Sequence, residues 1–398
     1  LSTDKLKLSK IAQNGTQATI LQVVRDSSPI SRSGIVSLTG QPHAAISRST
    51  AILLEKNILL EDSGSDTNGP RRKRGLELNP DYGYVVGIEY GADGIETVAM
   101  NTAYQPIYKT DKKTDLANLN QNEILDLICA SVKEVQKKVK MSADKCIGLA
   151  AVDPGLIDDD QGMSVFATTM SNWNNVHVVD HCQQQLKLPV MLLGTSTAKT
   201  LAVDRLELKN SIANLLYIEY GRGIGCGIKL NNTYISGEGH LAGELGHLQV
   251  SDSHVVCRCG GVGCLEAMAS LTALAQIANS CIESNNSILS QNKNITGMDV
   301  LRAAAQNDKL ASRIVDEAFE RLGAAIAGLV NILSPKLVLL DNIINEAGPD
   351  AVTVLMRSLQ KTILASHRRQ LEIRISTLTS HLGALGGAAA MLDNCLTA

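Results

Sequence analysis

Four side chains with metal-binding chemistry crowd one glycine-rich stretch: His247, Cys257, Cys259 and Cys264. Three thiolates and an imidazole make a Cys3His set, one of the closed tetrahedral combinations that hold Zn²⁺. With all four positions taken by protein, such a site is structural. The glycines between Cys259 and Cys264 let a short loop curl until the sulfurs face one point. The C-x-C-x4-C spacing is not that of a zinc finger, and His254 lies in the same stretch. Chemistry alone therefore does not choose between the two imidazoles. The plainer alternative is a set of reduced, buried cysteines beside a core histidine.

The elements that must carry other chemistry begin near the N-terminus. Residues 16–60 read as three short helices. Ile20, Leu21, Val23 and Val24 give the first an apolar face, and Ser27-Ser28-Pro29 breaks it. Ser31 caps the second. Thr39-Gly40-Gln41 is the tight turn of a helix-turn-helix, and the third helix runs from about Pro42 to Lys56. Gln41, His43, Ala44, Ser47 and Arg48 stand early on that helix, where small and polar side chains suit entry into a DNA groove. Two strands follow, Ile58-Leu59-Leu60 and Leu76-Glu77-Leu78. Between them Arg71, Arg72, Lys73 and Arg74 form the basic tip of a hairpin wing, suited to a narrow minor groove. A solvated linker is the competing reading of that charge run.

Composition bounds the rest. At 398 residues, 44% hydrophobic and 19% charged, the chain reads as a globular protein of two or three domains. Residues 1–78 carry 11 Lys and Arg against 7 Asp and Glu, although the whole chain has a net charge of −3. A basic segment on an acidic body points to an anionic polymer partner. Neither a membrane span nor a secretory leader is expected from the apolar pattern. Nine cysteines, three of them in the metal cluster, fit a reducing cytoplasm.

Glu244-x-Gly246-His247 followed by C-x-C-G-x-x-G-C-L-E resembles the signature of the ROK family, which holds bacterial sugar kinases and sugar-responsive repressors. The resemblance extends over nearly the whole chain. It implies that His247, rather than His254, joins Cys257, Cys259 and Cys264 as a zinc ligand. It also implies that Glu244, His247 and Glu266 contact a sugar. ROK repressors, unlike ROK kinases, prefix a DNA-binding domain of this kind. The fold class expected is α/β: a winged helix-turn-helix over 1–80, then a two-lobed actin-like, ribonuclease-H-like body. Its lobes would be 81–193, joined by a C-terminal helix over 378–398, and 194–377, the latter carrying the zinc site and a dimerisation surface.

Three stretches depart from the kinase pattern that the resemblance supplies. Glu89-Tyr90-Gly91-Ala92-Asp93 stands for Asp-x-Gly-Gly-Thr, Thr195-Ser196 for Asn-Asp, and Asp341-Asn342 for Gly-Gly. Serine is no general base at neutral pH without help, and Asp204 is the nearest carboxylate along the chain. Gly221-Arg222-Gly223-Ile224-Gly225-Cys226-Gly227 could turn amides toward an anion, or could be a plain hairpin. Asp153 and Asn172-Trp173 lie in loops that approach the sugar pocket in the family, although Trp173 also suits core packing.

The function expected is a cytoplasmic transcriptional regulator, a repressor of sugar uptake or metabolism genes. Its partners would be an operator duplex and a small carbohydrate or sugar phosphate bound partly by Thr195 and Ser196, and its state a homodimer. An ATP-dependent sugar kinase is the enzyme alternative. A repressor sequestered by a sugar-transport protein is the third reading.

Overall fold

The structure, a computed structural model, describes residues 10–61, 75–282 and 287–397. The chain divides into two compact units, Leu1–Asn210 with His381–Ala398, and Ser211–Ser380. The boundary between Asn210 and Ser211 assigns the stretch after Leu193 to the first unit, not to the start of the second.

The first unit opens with α1 (Gly15–Ser27), α2 (Arg32–Thr39) and α3 (His43–Glu55). Asn14 and Ser31 cap α1 and α2 by accepting from the amides of Gln17 and Gly34, and Gly40 ends α2 in the left-handed region. Ile20, Leu21, Val24, Ile35, Ile46 and Leu53 are wholly buried and form the small core of this head. Strands β1 (Leu59–Glu61) and β2 (Leu76–Leu78) pair antiparallel, and Ile30 bridges to Leu76 as a short third strand.

The body of this unit follows with β3 (Tyr84–Gly91), β4 (Gly94–Asn101), β5 (Pro106–Lys113), α4 (Gln121–Lys138) and β6 (Cys146–Asp153). A small three-stranded sheet comes next: β7 (Leu156–Asp158), β8 (Met163–Phe166) and β9 (Asn174–Val176). Then come α5 (Val178–Leu186), β10 (Val190–Gly194) and α6 (Thr195–Ala202), which runs on into a π-turn over Val203–Glu207. The main sheet has the order β10-β6-β3-β4-β5, antiparallel in the hairpins and parallel where helices intervene. Its central strands β3 and β6 are buried nearly throughout, which is why they read as continuous apolar runs. Ile124, Ile128, Val132 and Val135 of α4 pack on that sheet, and a capping box of Asn120 and Glu123 fixes the start of α4.

The second unit contains β11 (Leu215–Tyr220), β12 (Ile224–Leu230), β13 (Thr233–Tyr234), α7 (Leu265–Ala269), α8 (Leu271–Cys281), α9 (Gly297–Ala305), α10 (Lys309–Leu333), β14 (Leu337–Leu340), α11 (Gly348–Thr362), α12 (Ala365–Arg368) and β15 (Glu372–Ile375). Its sheet order is β13-β12-β11-β14-β15. Each strand here has a counterpart in the first unit with the same neighbours and directions: a hairpin pair, then two parallel strands beyond the first strand. The same five-stranded design is built twice, as the actin-like, ribonuclease-H-like expectation requires. The long α10 packs chiefly on α11 and α9, and its Phe319, Leu322 and Ile326 share one buried core with Ile218 and Leu340 of the sheet and Leu355 of α11.

The chain ends in α13 (Leu382–Leu396), which belongs to the first unit and packs on β3, β6 and α6. Its small residues are a steric requirement. A Cβ on Gly386 would lie 1.6 Å from the carbonyl oxygen of Ala198 on α6. Among the described residues no helix is long and apolar enough to cross a membrane.

Candidate metal centre and ligand site

Between β13 and α7 the chain has almost no regular structure. Two 3-10 turns, Glu238–His240 and Leu245–His247, and two isolated bridges, Gln249 to Cys264 and Val256 to Val262, are its regular elements. Cys257 donates its amide to the Gly261 carbonyl at 2.7 Å and accepts from the Gly260 amide at 2.9 Å, closing a tight knuckle. Gly261 is needed there, since a Cβ would sit 3.2 and 3.4 Å from the Cys264 and Cys259 sulfurs.

Around that knuckle the ligand atoms of His247, Cys257, Cys259 and Cys264 lie within 4.8 Å of one another. His247 Nδ1 is 3.8 Å from Cys257 Sγ, and Cys259 Sγ is 3.8 Å from Cys264 Sγ. A tetrahedron with metal–sulfur bonds of about 2.3 Å has sulfur–sulfur edges of about 3.8 Å. The spacing and the donor set both fit a bound metal ion. His254, the other candidate imidazole, is exposed and outside this group. Burial holds the thiols of Cys257 and Cys264 above their usual value, the latter at about 12, while the Gly261 backbone lowers that of Cys259. A cation at the centre reverses the burial effect by displacing thiol protons.

The second nitrogen of His247 points the other way. Nε2 is 3.6 Å from Glu244 Oε2, an ion-pair contact longer than a hydrogen bond. Imidazole between metal and carboxylate is the usual outer support of a metal site. Burial raises the Glu244 carboxyl, His247 opposes this, and the charges of Glu266 and Glu219 reinforce it. Glu266, on the first turn of α7, accepts from the Ile224 amide at 3.2 Å. Glu244, His247 and Glu266 are thus brought together, with Glu219 of β11 as a neighbour that the signature did not mark. Only the strand pattern of β11, with a carboxylate as its penultimate residue, could have suggested it.

The glycine-rich turn joins β11 to β12. The Gly221 amide is taken by the Gly223 carbonyl, and the Ile224 amide by Glu266. Two of the amides proposed for an anion are therefore committed, and the carboxylate beside them disfavours phosphate. Asp341, after β14, accepts from the Tyr217 hydroxyl at 2.7 Å and the Ile343 amide at 3.0 Å, and Asn342 donates to the Ser376 carbonyl at 2.7 Å.

Thr195 and Ser196 belong to the first unit, at the start of α6. Thr195 Oγ1 donates to the Asp153 carbonyl at 2.9 Å. Asp153 itself is fully buried and collects four donors: Tyr90 hydroxyl at 2.7 Å, Trp173 Nε1 at 2.9 Å, Gly155 amide at 2.7 Å and Ser164 hydroxyl at 3.0 Å. Burial pushes its carboxyl above the usual range against the pull of those donors. Trp173 is core, edge-on to Tyr90 at 5.4 Å. Glu89 accepts from the Gly383 amide at the start of α13 and lies 3.7 Å from Lys199. Asp204 is fully buried in the π-turn, 4.0 Å from Arg205.

On the head, His43, Ala44 and Arg48 are exposed along the first turns of α3, opposite buried Ile46, Thr50 and Leu53. Ser47 is half-buried, and the Gln41 amide reaches Thr19 at 3.4 Å. Arg71, Arg72 and Lys73 lie outside the described residues.

A duplicated five-stranded sheet, a Cys3His loop with two carboxylates in the second unit, and a helical head define an α/β protein of two like units with an added N-terminal domain. The ROK family model matches residues 85–394, so the chain belongs to the ROK family. It is 26% identical over 382 residues to a xylose repressor of Caldicellulosiruptor bescii, covering 95% of each chain. It is 28% identical over 310 residues to a glucokinase of Halalkalibacterium halodurans, covering 76% of this chain and 93% of that protein. Among solved structures, a ROK family transcriptional regulator described as a homologue of the Escherichia coli MLC protein superposes with a TM-score of 0.82 at 23% identity, covering 96% of both chains.

Proposed function

We propose that this chain is a sugar-responsive transcriptional repressor that binds an operator through residues 1–80 and releases it when a free aldose, D-xylose first among them, binds the body. The observation that carries this reading is the extent of the likeness. The xylose repressor aligns with the chain end to end, whereas the glucokinase aligns with about three quarters of it. What the kinase match leaves over is the size of the helical head. On α3, His43, Ala44, Ser47 and Arg48 would read base edges. Arg71, Arg72 and Lys73 would contact phosphate and the minor groove. Zn²⁺ held by His247, Cys257, Cys259 and Cys264 would fix Glu244 and Glu266 for the sugar in the second unit, and Thr195 and Ser196, in the first unit, would offer hydroxyls to a ligand at the start of α6. A homodimer on a two-fold operator in the cytoplasm is the working form.

The glucokinase match makes a sugar kinase the second reading. Against it stand Ser196, where the family has a catalytic aspartate, Glu89 engaged by α13 and Lys199, and Asp341-Asn342 at the adenosine turn. Sequestration by a sugar-transport protein has no specific observation in its favour.

The test starts from a duplex selected out of random sequence by the full-length protein. D-Xylose, glucose and N-acetylglucosamine are then titrated against that complex. Release by one sugar, with no ADP formed from ATP, supports the proposal. Sugar-dependent ADP formation above a blank, abolished by Ser196→Ala, would replace it with the kinase reading.

A further inference from the structure

One cluster of charges in the first unit takes no part in either site. Asp393, near the end of α13, accepts from three separate segments: Arg25 Nη1 of α1 at 2.8 Å, the Tyr104 hydroxyl of the β4–β5 turn at 2.5 Å, and Arg205 Nε of the π-turn at 2.8 Å. The remaining face of Arg25 is clamped by Asp26 at 2.7 and 2.8 Å. Arg25, Arg205 and Asp393 expose only 11%, 12% and 19% of their side chains. A buried ionic cluster is an inefficient way to add stability, since desolvation offsets the attraction, but it fixes one geometry and breaks discretely.

The position of the cluster gives it a meaning. Arg25 lies in the last turn of α1, so it belongs to the head. Arg205 lies in the π-turn that continues α6 without a break. Such turns are places where a helix can shift its register, and they collect at functional sites. The other end of α6 is Thr195-Ser196, about 15 Å away along the helix at 1.5 Å per residue. Between them, Lys199 pairs with Glu89, and Ala198 touches Gly386 of α13. A push on the first turn of α6 therefore passes along a closely packed helix to the π-turn, where Arg205 can shift.

We propose that Asp393 is the joint between α6 and the DNA-binding head, holding Arg25 and Arg205 together in one state and releasing Arg25 when ligand binding at the start of α6 draws Arg205 away. The proposal rests on the reading of the chain as a sugar-responsive repressor. Arg205 is a positioning residue under it: it touches neither sugar nor DNA, and it carries the coupling free energy between their sites.

The test compares wild type with Arg205→Met and, as a second variant that keeps the shape of the acceptor, Asp393→Asn. Operator affinity is measured on the selected duplex with and without saturating D-xylose, and D-xylose affinity by calorimetry. In wild type the sugar should weaken operator binding by about tenfold or more. In both variants that ratio should collapse to near one, while sugar affinity stays within about threefold and zinc content is unchanged. A full wild-type ratio in either folded variant overturns the joint. Hydrogen exchange of α1 gives a reading that needs no ligand. It should quicken in Arg205→Met, and unchanged protection there also overturns the proposal. If wild-type protein selects no duplex, or no sugar alters its binding, the repressor reading fails instead, and the exchange result still judges the joint.

Discussion

At the end of β6, one carboxylate gathers donors from four places in the chain. Beyond β13, three thiols and an imidazole converge on one point. Both centres pin loops at the edge of a five-stranded sheet of the same design, but by different physics. Asp153 is sealed in a core that also contains Trp173, Tyr90 and Ala151, so its hydrogen bonds are present whenever the unit is folded. The Cys3His loop has little core of its own: Leu241, Leu248, Val255, Val256 and Val262 are all substantially exposed. Under the proposed reading its order would come from a metal ion that the four ligands fit. Stability there would then be conditional on metal supply, because ligand binding adds to folding free energy by mass action. The first centre is held by hydrogen bonds of the chain itself, and the second would be held by an imported part.

The largest effect expected from this contrast is on the metal loop. Cys257→Ser or Cys264→Ser should lose bound zinc by elemental analysis and lower the melting temperature by roughly 5–10 °C. Effector response should go with it, because Glu244 and Glu266 lose their frame. Well under one zinc per chain in wild-type protein never exposed to chelator would leave only buried thiols, and the contrast would collapse.

Next in size is Asp153→Asn. The amide must turn its NH2 toward at least one fixed N–H, of Trp173 or Gly155, and leave that donor unpaired. We expect a cost of about 2–3 kcal/mol with zinc content unchanged. A loss under about 0.5 kcal/mol, typical of surface changes, would show that the four bonds do not hold the first unit. Chelation of the Asp153→Asn protein sharpens the comparison further. If the two centres act separately, their effects on stability should add within about 0.5 kcal/mol. A large departure in a denaturation series would mean that they share one cooperative structure.

The smallest effect concerns Asp26, whose partner Arg25 is largely buried while Asp26 itself is 31% exposed. Burial would raise the carboxyl of Asp26, but its hydrogen bond and charge contact with Arg25 outweigh this and hold it below its usual value. A depressed carboxyl contributes stability that is present above its unfolded value of 3.8 and lost as pH falls through the lower folded value. Melting temperature should therefore decline below pH 4 or so, and Asp26→Asn should flatten that decline slightly, since Arg25 keeps Asp393 as a partner and solvent screens the partly exposed Asp26. An identical acid slope in both proteins would remove Asp26 from the account.

Much of this molecule was readable before any fold was known. In the head, the helix expected from about Pro42 to Lys56 is α3 over His43–Glu55, and the strand expected at Leu76–Leu78 is β2, because apolar spacing and local stop signals mark both. The β7–β8–β9 sheet was not read, since its strands are three or four residues long and carry mixed polarity. The stretch 341–380, with α11 and β15, gave too little pattern to place β15 beside β14. Trp173 left two roles open that only its indole contact with Asp153 could decide.

What the sequence determined by itself was whatever chemistry is local: a helical head closed by Pro29 and Gly40, and a metal set written within one loop. Ligands close in sequence cost little loop entropy to bring together, so their spacing is the evidence. What only the tertiary structure decided was which distant groups meet. Asp393 could have paired with any of many cations, and nothing near it in the chain names Arg25 or Arg205. Asp153 reads in sequence as a loop carboxylate before Pro154 and turns out to be buried. By chemistry alone His247 and His254 are equal, and in the sequence only the likeness to the ROK signature singled out His247. It is the fold of the turn at Leu245–His247 that brings the ring of His247 to the sulfurs.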